Sequence, residues 1–151
     1  MIQVGITKKM KDKYGLDYEV IPELSEASLF TWHANIFKFN RKTGIIFINN
    51  LTRYSVLVFD VKKSDMKNLL EVFKWQLKRM INSHYYKLEV IENYLDQING
   101  MKFTKTSSRS ILGHINVNTD YLLRGLYDYE FIGKFEIDHE NILNEKKVVY
   151  F

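Results

Sequence analysis

The segment at 29–60 reads LFTWHANIFKFNRKTGIIFINNLTRYSVLVFD and contains the clearest pattern in the chain. Residues 29–39 have the side-chain alternation of a β-strand, with apolar residues on both faces. Residues 45–48 form a fully apolar run, which is typical of a central strand, and residues 56–59 form another. Because only short polar connections separate these runs, the segment predicts a meander of three antiparallel strands.

The connections between these strands hold the polar residues of the segment. The first, Arg41-Lys42-Thr43-Gly44, is expected to form a hairpin turn in which Gly44 takes a positive φ. The second connection comprises residues 49–52. Functional side chains concentrate at strand ends and turns. The residues found there are His33, Arg41, Lys42, Arg53 and Tyr54.

Further strands and helices are predicted on both sides of the meander. We expect a strand at 2–4, helices at 8–14, 64–83, 86–98 and from about 108 onward, an extended piece at 101–105, and strands at 131–137 and 148–151. Thr7, Ser64 and Ser107 or Ser108 are the expected N-caps, and Gly15 is the expected end of the first helix. The last helix is expected to be interrupted near Gly113 or residues 117–119.

This order of elements predicts a single α+β domain over residues 1–151. We expect a mixed or antiparallel sheet with helices packed mainly on one face. The helix at 64–83 has an apolar stripe at helical spacing, and Trp75 lies off that stripe. Trp75 is expected to be covered by another element, since large aromatic side chains are mostly buried. The alternative is an exposed stacking surface.

Composition excludes several classes of function. The chain has 151 residues, no cysteine and a net charge of +4 from 22 basic and 18 acidic residues. Without cysteine there is no disulfide, thiolate zinc site or cysteine nucleophile. The four histidines lack metal-ligand spacing, and no phosphate-loop or dinucleotide motif occurs, so neither a metal nor a cofactor is expected. No apolar run approaches the roughly 18 residues of a membrane span, and we expect a cytoplasmic protein without a membrane partner.

The first candidate site motif is Trp32-His33-Ala34-Asn35. His33 has the side chain best suited to general acid or base catalysis near neutral pH. The alternative is a buried histidine with satisfied hydrogen bonds. Trp32 and Asn35 are candidate ligand-binding residues beside it.

The second motif is Leu51-Thr52-Arg53-Tyr54. Arg53 offers a planar guanidinium that suits a phosphate or a carboxylate, and Tyr54 is a further candidate ligand-binding residue. The alternative is a surface arginine, alone or paired with a nearby acid.

The third motif lies at 103–113, where a helix is expected to begin. A helix N-terminus presents free N–H groups and favours anions. The candidate ligand-binding residues are Lys105, Ser107, Ser108, Arg109 and Ser110. The alternative is a capped helix with solvated neighbours.

These motifs carry a family resemblance. Phe30-Thr31-Trp32-His33-Ala34-Asn35, Leu51-Thr52-Arg53-Tyr54, and FTKT at 103–106 followed by RSILG at 109–113 resemble an uncharacterised bacterial family, a domain of unknown function of about this size. The resemblance covers roughly residues 1–125, with the strand-like tail at about 131–151 outside it. It implies the same choice of site and no established reaction.

The leading hypothesis is one pocket that binds a phosphate-bearing ligand, either a nucleotide or a nucleic-acid end. His33, Arg53, Lys105 and Arg109 would converge there, with His33 as the only candidate acid or base. The rival hypothesis is a protein-interaction module without catalysis, such as an antitoxin-like, regulatory or mobile-element-encoded partner binder. Its surface would be the Trp75 side of the long helix or the tail. A third hypothesis is weak nucleic-acid binding through Lys8, Lys9, Lys11 and Lys13.

Overall fold

The structure is a computed structural model that describes residues 1–19, 28–83 and 87–127. Its elements are β1 (Ile2–Ile6), α1 (Lys8–Tyr14), β2 (Thr31–Phe39), β3 (Lys42–Asn49), β4 (Ser55–Val58), a 3₁₀ helix (Lys63–Asn68), α2 (Leu69–Ser83), α3 (Leu88–Asp96), β5 (Met101–Lys105) and α4 (Arg109–Tyr127). The predicted strands at 131–137 and 148–151 lie outside the described residues.

The five strands form one mixed sheet in the order β4-β3-β2-β1-β5. The predicted antiparallel meander is confirmed, because β2 pairs with β3 and β3 with β4. Strand β1 lies between β2 and β5 and is parallel to both, with Val4 opposite Trp32 on one side and Phe103 on the other. The fold is therefore α+β, as predicted.

The hairpin between β2 and β3 differs from the prediction. Its turn is Asn40-Arg41, with φ values of 50° and 63°, and strand β3 already begins at Lys42. Two successive residues of positive φ are the mark of the type I′ turn that suits a two-residue hairpin. Gly44 is not part of the turn but lies inside β3. Glycine is required there because a Cβ would come within 2.4 Å of Phe37 Cζ.

A hydrophobic core lies on each face of the sheet. On one face, β1 contributes Ile2, Val4 and Ile6, and helices α1, α2 and α3 cover them. On the other face, Ile111 and Ile115 of α4 pack on a second cluster, which contains Phe37, Phe39, Ile46, Ile48 and Leu57. Three of the four described helices thus share one face, as expected.

The predicted ends of α1 are confirmed. Met10 N–H donates to the Thr7 hydroxyl at 3.2 Å, and Gly15 ends the helix with a φ of 63°. This short basic helix is not wholly on the surface, since Met10 and Tyr14 are buried.

Two predicted helix features are wrong. Ser64 does not cap a long α-helix, because the first turns are the 3₁₀ helix, where Asp65 accepts from Lys62 N–H at 2.7 Å. Helix α4 runs without interruption past Gly113.

None of the helices within the described part of the chain is both long and apolar enough to cross a bilayer.

The expectation that Trp75 is covered is also wrong. Its side chain is 62% exposed, and the guanidinium of Arg79 lies 4.8 Å from the centre of its ring. Trp75 therefore presents an exposed aromatic surface on α2, which was the alternative considered.

Candidate functional site

His33 lies where the three motifs meet. It is on β2, is 1% exposed, and accepts a hydrogen bond at Nε2 from the backbone N–H of Ser107 at 3.1 Å. Its Nδ1 lies 2.8 Å from Oδ1 of Asn50. Because Nε2 accepts, the neutral tautomer with its proton on Nδ1 satisfies both contacts, with Nδ1 donating to Asn50. The ring thus joins β2, the β3–β4 turn and the segment before α4.

Arg53 joins this arrangement through Asn50. The Nη1 of Arg53 donates to the backbone oxygen of Asn50 at 3.1 Å, and Asn50 N–H donates to Thr31 O at 2.9 Å. Arg53 has a φ of 61°, in the left-handed region that few residues other than glycine adopt. Its side chain is half-buried, and burial lowers the pKa of its guanidinium.

The Asn49 side chain organises the turn that presents Arg53. Its Oδ1 accepts from the N–H groups of Leu51 and Thr52, each at 3.0 Å. Its Nδ2 donates to Leu29 O at 2.9 Å, which ties the turn to the start of β2. Local asparagine and threonine contacts of this kind are the usual means of fixing a tight turn.

Strand register places a row of polar residues beside His33. Gln3 is opposite Thr31 and Lys102, while Gly5 is opposite His33 and Thr104. All lie on the face of α4, since Ile2, Val4 and Ile6 point to the other core. We call this set the polar floor: Gln3, Gly5, Thr31, His33, Lys102 and Thr104.

The imidazole of His33 lies directly on Gly5. A Cβ at this position would come within 2.9 Å of both Cδ2 and Nε2 of His33. Next to it, Oε1 of Gln3 is buried and has no hydrogen-bond partner in the described part of the chain. An unpartnered buried acceptor is rare in proteins and is a position where a ligand or water can donate.

The first turn of α4 begins beside the polar floor. The hydroxyl of Ser108 accepts from Ile111 N–H at 3.3 Å and caps the helix. Ser107, Arg109 and Ser110 are exposed around this end. Helix α4 has 19 residues, so its amino end carries the partial positive charge of a long helix.

Three of the predicted site residues lie on the opposite face of the sheet, and a fourth is engaged with α1. Trp32 and Tyr54 contribute to the core on the opposite face. Lys105 is opposite Ile6 in the register, so it also belongs to that face. Asn35 is on the same face as His33, since it is opposite Ile46, but its side chain accepts from the Thr7 hydroxyl at 2.6 Å and thereby holds the N-cap of α1. The predicted site is therefore divided between the two faces of the sheet.

A family model described as a domain of unknown function (DUF6933) matches residues 3–145. The chain belongs to the DUF6933 family. The match extends beyond residue 125, where the motif resemblance was expected to end, and includes most of the tail. No curated protein and no solved structure matches the chain.

The charges of this DUF6933 chain are unevenly balanced at the site. Lys102 on the polar floor pairs with Glu19 at 3.6 Å. Within residues 1–19, 28–83 and 87–127, no carboxylate lies within ion-pair distance of Arg53 or Arg109. No group of three or more histidine and acidic side chains among these residues could hold a metal ion. The described charged residues around the site are therefore mainly cationic.

Sequence analysis missed several residues of the DUF6933 site. Asn50 stands in the predicted second connection, but only its contacts with His33 and Arg53 show that it links them. Gln3 and Gly5 alternate with Ile2, Val4 and Ile6, which indicates a shared face. Nothing local indicates that β1 lies beside β2, so the link from Gly5 to His33 required the structure.

Proposed function

We propose that this protein binds a phosphate-bearing ligand, a nucleotide or the end of a nucleic acid, in the cytoplasm. The observation that carries the proposal is the state of Arg53. Arg53 is half-buried as a residue, burial lowers the pKa of its guanidinium, and no carboxylate among the described residues lies within ion-pair distance of it. A partly buried guanidinium of this kind suits an anion that accepts two parallel hydrogen bonds, as phosphate does.

Two neighbouring features support an anionic ligand. The amino end of α4 is tied to the same network through Ser107 and carries a favourable dipole for anions. Arg109 adds a second cation in the first turn of α4 and has no ion-pair partner among the described residues. These groups lie on the same side of the sheet as the polar floor.

Gln3 offers a hydrogen-bond acceptor that a nucleotide could use. Its buried Oε1 needs a donor, and no described residue supplies one. A nucleotide carries hydroxyl and amino donors as well as phosphate oxygens. Gln3 is therefore the residue expected to contact the sugar or the base.

The geometry supports binding more than catalysis. Both ring nitrogens of His33 are engaged, with Ser107 and Asn50, and the side chain is 1% exposed. A histidine in this state positions its neighbours. Its predicted role as a general acid or base would require one of these hydrogen bonds to break, and it stays a prediction.

The test is calorimetric titration of the purified protein with adenosine, guanosine and uridine phosphates, and with inorganic phosphate. The variant Arg53→Gln is compared with Arg41→Gln, which changes another arginine of positive φ at the far end of the sheet. We expect Arg53→Gln to weaken nucleotide binding by roughly 10-fold or more, because a charge-assisted hydrogen bond contributes about 1.5–3 kcal/mol. Equal effects of the two variants, or no binding by the parent protein, would contradict the proposal.

Protein interaction is a second candidate, favoured by the exposure of Trp75. An exposed tryptophan with an arginine stacked on it is a common centre of protein interfaces. The test is isolation of the protein from its native cells, followed by native mass spectrometry. A stoichiometric partner protein that is lost in Trp75→Ala and kept in Tyr121→Ala would support this candidate.

A further inference from the structure

An apolar groove lies on the face of the sheet opposite the polar floor. It has a volume of about 550 Å³ and runs between α2, α3 and the turn that follows β3. Its walls include Trp32, Tyr54, Leu77 and Ile91. Pockets for small ligands usually occupy roughly 300–1,000 Å³, so the groove has the size of a ligand site.

The polar groups of Trp32, Tyr94 and Asn49 in its walls already have partners within the protein. Trp32 Nε1 donates to the hydroxyl of Tyr94 at 3.2 Å, and that hydroxyl donates to Leu29 O. The Asn49 side chain is engaged with the backbone of its own turn and of Leu29. An occupant therefore meets an apolar surface and makes its main contacts through an apolar body.

One charged residue stands among the described residues that line the groove. This is Lys87, an exposed side chain at the start of α3. No described acidic residue lines the groove, so its charge favours an occupant with an anionic end. Leu29 and Val90 are 46% and 64% exposed at the rim, and an apolar chain would cover them.

The dimensions of the groove favour a small molecule. Its volume of about 550 Å³ lies within the roughly 300–1,000 Å³ of small-molecule pockets. We propose that the groove binds a free amphiphile with an elongated apolar body and an anionic end, the chemistry of a fatty acid. This site is separate from the proposed phosphate site, which lies on the other face.

The chain contains its own fluorescent reporter for this test. Of its two tryptophans, Trp32 lines the groove and is 3% exposed, while Trp75 is 62% exposed on the outside of α2. In the variant Trp75→Phe, all tryptophan emission comes from Trp32. A ligand in the groove should shift or quench this emission in a saturable way.

The probes are dodecanoate, dodecanol and dodecyltrimethylammonium, which share an apolar chain and differ in the charge of the end. The two charged probes are used below their micelle concentrations and dodecanol below its solubility limit. We expect dodecanoate to bind at least 10-fold more tightly than the cationic probe, and Lys87→Glu to remove this preference. If no probe binds, or if all three bind equally well, the proposal is overturned. It is also overturned if the protein sediments with anionic vesicles and does not bind free dodecanoate.

Paired valine variants show whether the groove is the site. Val90 lines the groove and Val117 lies on α4, and the two are similarly exposed, at 64% and 65%. Because both side chains are exposed, an Asp at either position would not be buried in a core. We expect Val90→Asp to weaken dodecanoate binding at least 10-fold and Val117→Asp to leave it unchanged. Equal loss or equal retention in the two variants would overturn the proposal.

Discussion

Gly5 supports the ring of His33, and a Cβ on Gly5 would approach Nε2 of that ring to 2.9 Å. We therefore expect Gly5→Ala to lower the free energy of unfolding by about 1–3 kcal/mol, the usual cost of overpacking a buried site. Urea denaturation measures this change. The variant should also weaken nucleotide binding, because the His33 contacts with Ser107 and Asn50 would be displaced.

Gly113 provides the matched control for that experiment. It is exposed inside α4, and a Cβ there would meet nothing within 4 Å. Gly113→Ala should raise the free energy of unfolding by about 0.5–1 kcal/mol, because alanine is the better helix former. A similar loss of stability in both variants would mean that close approach to His33 is not the cause.

The buried hydrogen bond from Asn118 Nδ2 to Ser55 Oγ, 3.1 Å long, fixes α4 to the sheet. Asn118→Ala should lower the free energy of unfolding by about 1–3 kcal/mol, because it removes a buried partner of Ser55. In a double-mutant cycle with Ser55→Ala we expect a coupling of at least about 0.5 kcal/mol. Strictly additive effects of the two substitutions would show that this contact does not hold the helix.

Some features were predictable because their causes are local in the chain. The caps of α1 at Thr7 and Gly15 depend on the side chain or backbone of one residue. The central strand at 45–48 depends on a run of apolar residues. Each of these patterns can be recognised within a few residues, and each is confirmed.

Other features depend on contacts between distant segments. The turn was predicted to include Gly44, but it is formed by Asn40-Arg41. Glycine is required at position 44 because a Cβ there would clash with Phe37 on the neighbouring strand. In the same way, Trp32 is adjacent to His33 in the chain and faces the opposite core. Strand alternation predicted this separation of the two side chains, but their shared motif suggested a single site.

Arg53 is expected to reduce stability while serving binding. Its φ of 61° costs a residue with a Cβ about 1–2 kcal/mol, and glycine avoids that cost. Arg53→Gly should therefore raise the free energy of unfolding by about 1 kcal/mol and weaken nucleotide binding. Chemical denaturation and calorimetric titration measure the two effects.

Arg41→Gly separates these effects. Arg41 has a φ of 63° in the exposed turn between β2 and β3, so the same gain in stability is expected. Nucleotide binding should not change, since this turn is at the far end of the sheet from the polar floor. A parallel change of binding in both variants would argue against a specific role for Arg53.

Tyr94 gives the protein a specific response to alkaline pH. Burial raises the pKa of its phenol to about 12, although the hydrogen bond from Trp32 lowers that pKa in part. An unfolded tyrosine has a pKa of about 10, so the folded state retains the proton more strongly. The resulting stability is fully present below about pH 10 and is lost as the pH rises toward 12.

The variant Tyr94→Phe isolates this contribution. At neutral pH it should be less stable than the parent, because Leu29 O and Trp32 Nε1 lose their partner. Between about pH 10 and 12, the difference in free energy of unfolding between the parent and the variant should narrow. The expected change is roughly 1.4 kcal/mol for each unit by which the pKa is raised. The control is Phe59→Leu, which removes a ring packed on Phe37 at 5.4 Å on the other face of the sheet, without removing an ionisable group or a contact of Tyr94. The stability that this control loses relative to the parent should be independent of pH. If the stability lost in Tyr94→Phe is also independent of pH, the role assigned to the phenol is contradicted.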